Sequence, residues 1–227
     1  DPNKPGEAVE ITFEKTSLEL SDKNIPGIDE LEQIFIDHCN YQEKMSDRDT
    51  RDDIIATRDF FIANKNKKID VIKIGDSKTT GLKGAKESNS KFDNLVFSEG
   101  SSLKEGPGGG SFGVGKNAPF AISSLRTVIY SSTYINDKNQ KEHALSIKSI
   151  LFSCQIKGST GEFFDNKVFL TDNNNNGITD EKLIEQKGFL RKEVGTDIYI
   201  LGIKEIEGFD VNDFVKYLAK EISENYF

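Results

Sequence analysis

A chain of 227 residues can bury one sizeable core, or at most two small ones. Hydrophobic residues make up 35% and charged residues 30%, and no apolar run approaches the roughly 18 residues of a membrane span, which argues against a membrane protein. The net charge of −8 argues against nucleic-acid binding over the whole surface, while leaving room for a local basic patch.

The opening D-P-N-K-P-G-E has neither a basic region nor an apolar core and is not read as a signal peptide. Val9, Ile11 and Phe13 then alternate with Glu10, Thr12 and Glu14, which predicts a half-buried strand over Ala8–Phe13. Leu18 and Leu20 extend its apolar content before Asn24-Ile25-Pro26-Gly27 breaks it. Asp29–Lys44 is predicted helical, with Ile28, Leu31, Ile34, Phe35 and His38 or Cys39 at helical spacing. A second helix is predicted over Asp49–Asn64, carrying Ile54, Ile55, Phe60 and Phe61. Lys65–Lys68 reads as a solvated basic turn.

From Val71 the chain reads V-I-K-I-G-D-S-K-T-T-G-L-K-G: a strand over Ile69–Ile74, then a turn over Gly75–Gly84. A short helix follows Ala85–Ser90, and Leu95-Val96-Phe97 is a brief apolar stretch. The glycine-rich run Gly106–Lys116 (G-P-G-G-G-S-F-G-V-G-K) feeds a predicted helix over Asn117–Leu125. Arg126–Tyr134 and Ala144–Ile156 read as strands around a polar hairpin at Asn136–Lys141. Val168–Leu170 is a further strand, Gly195–Ile203 closes the sheet, and Asp210–Asn225 has the period of an amphipathic helix. Early helices followed by hairpin-linked strands give an α+β fold, with one mostly antiparallel sheet and helices on one face.

Cys39 and Cys154 stand far apart in apolar contexts; two buried thiols in a reducing cytoplasm is the simpler reading than a disulfide. With two histidines and no C-x-x-C, a zinc site is disfavoured. Asp172–Gly177 matches the first half of a calcium loop, but Leu183 stands where a bidentate Glu is needed, so a surface loop is read. His38 reads as a partly buried helix residue, because D-H-C-N lacks the acidic residue expected after a phospho-accepting His.

The glycine run invites three phosphate motifs. Gly110 to Lys116 fits the P-loop up to its lysine, but Asn117 replaces the hydroxyl that would hold Mg²⁺, and Leu95–Phe97 lies too far upstream to be the entering strand. Gly108, Gly110 and Gly113 fit G-x-G-x-x-G, yet the strand directly before and the βαβ unit are missing. A plain flexible loop is also open. The third motif uses every part: glycines let several backbone N–H groups face a polyphosphate, Lys116 adds charge, and the following helix adds its positive end. Phe112 and Val114 can anchor such a lid. Upstream, Asp76 can accept a hydrogen bond from an exocyclic amine such as adenine N6; its simpler role is capping the turn.

The ordered series V-I-K-I-G-D…T-T-G-L-K-G, G-G-G-S-F-G-V-G-K-N-A-P-F, R-T-V-I-Y-S-S and E-V-G-T-D-I-Y-I resembles the GHKL ATPase superfamily. This Bergerat-fold group includes gyrase B, large heat-shock chaperones, histidine kinases and MutL proteins. The lid is similar to the MutL, chaperone and MORC branch, and to bacterial ATP-binding proteins of unassigned role. The resemblance covers roughly Val9 to Ile203, the ordered series being more specific than any one motif. It implies a two-layer Bergerat sandwich forming one domain over residues 1–227, in the cytoplasm. It implies Asp76 on the adenine, with Thr79, Thr80, Gly81, Leu82 and Gly84 in the same box. Gly110, Ser111, Phe112, Gly113, Val114, Gly115 and Lys116 correspond to the lid, and Thr196 supports the adenine beside Asp76. ATP and Mg²⁺ are the implied cofactors. The implied partners are a homodimer formed on ATP binding and, in a longer protein, an effector domain or DNA.

Two departures stand out. Gly81 follows Asp76 by five residues, where the family spacing is four, so the turn is wider and Thr79 or Thr80 can contact the base. The family's helix bearing a water-activating Glu and a Mg²⁺-binding Asn has no clean match. Asp37 with Asn40 is a poor substitute, and the expectation is that both residues lie upstream of Asp1. ATP hydrolysis, non-hydrolysing nucleotide sensing and a histidine-kinase-like role all remain open on these residues.

Overall fold

In the computed structural model, residues 8–45, 48–98, 114–155, 161–204, 210, 212–217 and 220 are described. Strand β1 (Glu10–Glu19) precedes helices α1 (Ile28–Met45) and α2 (Arg48–Asn64), then β2 (Lys68–Ser77) and α3 (Lys91–Val96). A 3₁₀ turn over Val114–Asn117 leads into α4 (Ala118–Ile122), β3 (Thr127–Ile135) and β4 (Lys141–Ile150). The short β5 (Cys154–Gln155), β6 (Phe163–Phe164) and β7 (Lys167–Leu170) come next, then α5 (Glu181–Gln186) and β8 (Gly195–Leu201).

The main sheet has the order β1-β2-β8-β3-β4-β7, and every pairing is antiparallel. The fold is therefore α+β, as the sequence predicts. The sequence places Gly195–Ile203 as the strand that closes the sheet; β8 instead runs through its interior, between β2 and β3. Its apolar run Ile198–Leu201 is covered on both faces, Tyr199 and Leu201 packing in one cluster and Ile198 in the other.

One face carries the two long helices. Leu31, Phe35 and Cys39 form a buried stripe on α1, and Ile54 and Phe61 face it from α2. The Phe35 and Phe61 rings meet at 5.3 Å. They pack on Val71, Ile129, Leu145, Ile147 and Leu201, the residues of the strands that point this way. The other face is also covered. Phe92 and Val96 of α3 and Phe120 of α4 pack on Val128, Tyr130 and Ala144, which alternate with the first set. Lys148, on β4, is fully buried here with its ammonium 5.7 Å from the Phe120 ring centre and 5.4 Å from that of Phe169.

Several local expectations shift. The helix expected over Asn117–Leu125 is only five residues long, because Ser123 turns extended to bridge Ile203. Leu95-Val96-Phe97 ends α3 rather than standing alone. The strand expected to 156 breaks after Ile150, and α5 carries no strong sequence signal. Residues 212–217 are helical, as Asp210–Asn225 predicts; the rest of that stretch lies largely outside the described residues. His38 is buried, its ring Nδ1 paired with the Phe152 carbonyl, and Cys39 and Cys154 are buried thiols. Burial pushes the Cys39 thiol up to about 12. Lys65 is held by Glu32 and Asp29, which fits a solvated structural turn. Asp172 accepts the N–H groups of Asn174 and Asn176 at 2.8 and 2.9 Å, closing its loop on itself. Among the described residues no helix is long and apolar enough to cross a membrane.

Phe61 is 1% exposed at the centre of the α1–α2–sheet cluster. Phe61→Ala is expected to lower stability by about 3–5 kcal/mol, read from urea unfolding midpoints.

Candidate functional site

Strand β2 runs three residues beyond its predicted end, so Asp76 lies within it. Its pairing with β8 stops one residue earlier, at Gly75–Asp197, whereas β1 still pairs with β2 at Asp76 and β3 still pairs with β8 at Thr196. Between these two anchored backbones, side chains replace the ladder. The Thr196 N–H donates to Asp76 Oδ1 at 2.9 Å, and Thr79 Oγ1 donates to the same oxygen at 2.6 Å. Among the described residues no donor reaches Asp76 Oδ2. A carboxylate pinned through one oxygen offers the other, with its lone pairs, to a ligand.

The glycines have geometric reasons. A Cβ on Gly81, at φ +64°, would lie 2.3 Å from the Thr133 carbonyl oxygen, and one on Gly195 would lie 2.3 Å from that of Asp76. Both positions need the missing side chain as well as the unusual backbone. Gly84 serves a neighbouring element: its carbonyl accepts the Ser90 hydroxyl at 2.6 Å, and Ser90 caps α3 by accepting the Asp93 N–H.

Around this turn the predicted residues divide. Asp76, Thr79, Gly81 and Thr196 come together. Leu82 joins them through its N–H, which donates to Ser132 Oγ at 2.8 Å, while its side chain packs on the α3–α4 cluster. Thr80 turns aside and accepts from Lys91 at 3.3 Å. Lys116, the expected phosphate contact, donates to the Asn94 carbonyl at 3.0 Å and to the Ser98 carbonyl, at the end of α3. Val114 and Gly115 lie in the 3₁₀ turn. Gly110, Ser111, Phe112 and Gly113 lie outside the described residues. With α4 five residues long, the expected positive helix end is weak support for an anion.

Asp37 and Asn40 belong to α1, on the sheet face away from Asp76, Ser132 and Thr196. Asn40 Oδ1 accepts from Arg58 at 3.1 Å. The substitute pair therefore stands across the sheet from the carboxylate. Among the described residues no group of three His, Cys, Asp or Glu could hold a metal ion.

Sequence reading missed the supports of the site. Ser131, Ser132 and Thr133 are consecutive and buried on β3. Their hydroxyls donate to the carbonyls of Phe189 (2.6 Å), Gly195 (3.1 Å) and Arg191 (3.0 Å), so β3 suspends the whole segment leading into β8. The cue was S-S-T in the middle of an apolar strand. Arg191 lies below Asp76, bonded to the carbonyls of Asp76 and Thr196 and ion-paired with the buried Asp197. Asp197 also takes Lys73 at 3.3 Å.

Thr133 has one proton and gives it to the Arg191 carbonyl, so the His143 Nδ1 contact at 2.8 Å must be donated by the ring. His143 Nε2 then faces a cavity of about 380 Å³, with Glu181 at 3.9 Å. Burial holds the His143 pKa below its usual 6.5, against the opposing pull of Glu181.

With this geometry in place, comparison with known proteins gives no match to a family model, to a curated protein or to a solved structure.

Two outcomes are expected. Ser132→Ala removes the acceptor of the Leu82 N–H and should cost about 1–3 kcal/mol, measured by chemical denaturation. Burial depresses the His143 pKa in the fold while the unfolded ring titrates near 6.5, so its contribution is full above that pH and is lost as pH falls towards the depressed folded value. Unfolding midpoints should drop as pH falls below the unfolded value near 6.5, and His143→Asn should flatten that slope; His38, shifted the same way, keeps the remainder.

Proposed function

We propose that this chain is the nucleotide-binding domain of a GHKL-type ATPase, acting in the cytoplasm on MgATP. In this reading Asp76 Oδ2 accepts the exocyclic amine of adenine, Thr79 and Thr196 fix the carboxylate, and the glycine-rich run closes over the phosphates. Closure would favour dimerisation and hydrolysis would release it. The observation that carries the reading is the presentation of Asp76: one oxygen held by two donors, the other without one, where the β2–β8 ladder ends and Gly81 and Gly195 let the backbones approach closely. An acceptor-only carboxylate discriminates by charge: it attracts an amine edge and repels a carbonyl edge.

The placement of Asp37 and Asn40 favours a second reading beside the first. Residues that bind the base are gathered around Asp76, while the substitute for a water-activating pair lies across the sheet. A domain of this kind senses the nucleotide without turning it over. Phosphate release from ATP tests this second reading: sustained turnover by this chain would refute the sensor.

Asp76→Asn should abolish detectable ADP binding in calorimetry while the melting temperature stays near that of the parent; equal affinity would refute the base-reading role. Replacing Asp37 and Asn40 with Ala should leave ADP affinity unchanged, and a loss of binding would bring them back into the site.

A further inference from the structure

Where the β2–β8 ladder ends, something other than backbone pairing must hold the two strands in register. Gly75–Asp197 is the last pair, yet the Gly195 backbone approaches the Asp76 carbonyl so closely that a Cβ would lie 2.3 Å from it. The Arg191 guanidinium occupies this junction. One nitrogen donates to the Asp76 carbonyl at 2.6 Å and another to the Thr196 carbonyl at 2.9 Å. The same head is ion-paired with Asp197, whose side chain is 6% exposed against 12% for Arg191. A planar fork of fixed donors suits this task, because it can satisfy two carbonyls and a carboxylate at once; a lysine ammonium is a single point charge.

Resting on the base-reading role of Asp76, we propose that Arg191 is the positioning residue of that carboxylate. It bridges β2 to β8 beyond their last backbone pair and so fixes the distance over which the Thr196 N–H reaches Asp76 Oδ1. Arg191 touches no ligand itself; it acts through the backbone of Asp76. Its own backbone is set by β3, since Thr133 donates to the Arg191 carbonyl and is in turn held by His143. The carboxylate that reads the base is thereby tied to three strands rather than one.

Two variants separate positioning from general stability. Arg191→Lys keeps the charge beside Asp197, and Arg191→Gln combined with Asp197→Asn removes both charges so that neither is buried alone. Amide hydrogen exchange reads the clamp directly. In both variants the Thr196 amide should exchange about tenfold faster or more, while Ile200, paired with Ile72 and Val128 on the same strand, keeps its protection. Equal acceleration at both amides would mark Arg191 as merely structural, and no change at Thr196 would also overturn the proposal. Calorimetry with ADP and inosine diphosphate supplies the second arm. Arg191→Lys should weaken ADP about tenfold and leave inosine diphosphate unchanged, narrowing the preference for an amine over a carbonyl. If the parent protein binds neither nucleotide, the nucleotide reading fails, and the exchange arm still decides whether Arg191 positions Asp76.

Discussion

The structure turns on one exchange of bonds. At Asp76 a strand pair gives up its backbone ladder and is closed instead by a carboxylate and a guanidinium. A backbone pair would have left Asp76 as one more residue of an interior strand. Because the Thr196 N–H goes to the side chain, the carboxylate is drawn against the sheet in a fixed orientation. The two neighbouring ladders, β1–β2 and β3–β8, continue past this point and keep the exchange from opening the sheet.

Burying that arrangement needs polar groups to be matched one for one, since an unmatched buried donor or acceptor costs about 1–3 kcal/mol. Strand β3 supplies the matches. Its three consecutive hydroxyl residues take three carbonyls of the segment that leads into β8, in a chain where most other interior strand positions are apolar. Asp197 is nearly excluded from water, and two cations, Arg191 and Lys73, answer its charge. The two apolar clusters on either side of the sheet hold this polar layer in place. The long helices press from one face, and α3 and α4 from the other.

This division of labour bears on function. The face carrying α1 and α2 is packed with aliphatic and aromatic side chains, and its helices present their polar residues outward to partners such as Arg58 with Asn40. The opposite face carries Ser132, Thr196 and Asp76 in one row across three strands, next to the turn bearing Thr79 and Gly81. A ligand that reads hydrogen bonds would be offered the second face. Lys116 belongs to that side too, but it is tied to carbonyls at the end of α3, so contact with an anion would require it to exchange those partners.

What the sequence determined by itself follows from periodicity and turn chemistry. Alternation in Val9–Phe13, the helical stripe of Leu31, Phe35 and Cys39, and the polar hairpin at Asn136–Lys141 all report which face of an element is buried, and burial is a local property of the pattern. Asp76, Thr79, Gly81 and Thr196 were legible as candidates because an ordered series of motifs brackets them. Tertiary structure alone decided the rest. The place of β8 inside the sheet depends on pairings between segments more than a hundred residues apart, which no local window contains. The role of Arg191 depends on where one ladder stops, and the absence of a side chain at Gly195 matters only because the Asp76 carbonyl passes close by. These are relations between distant backbones, and hydrogen bonds form between neighbours in space whatever their separation along the chain.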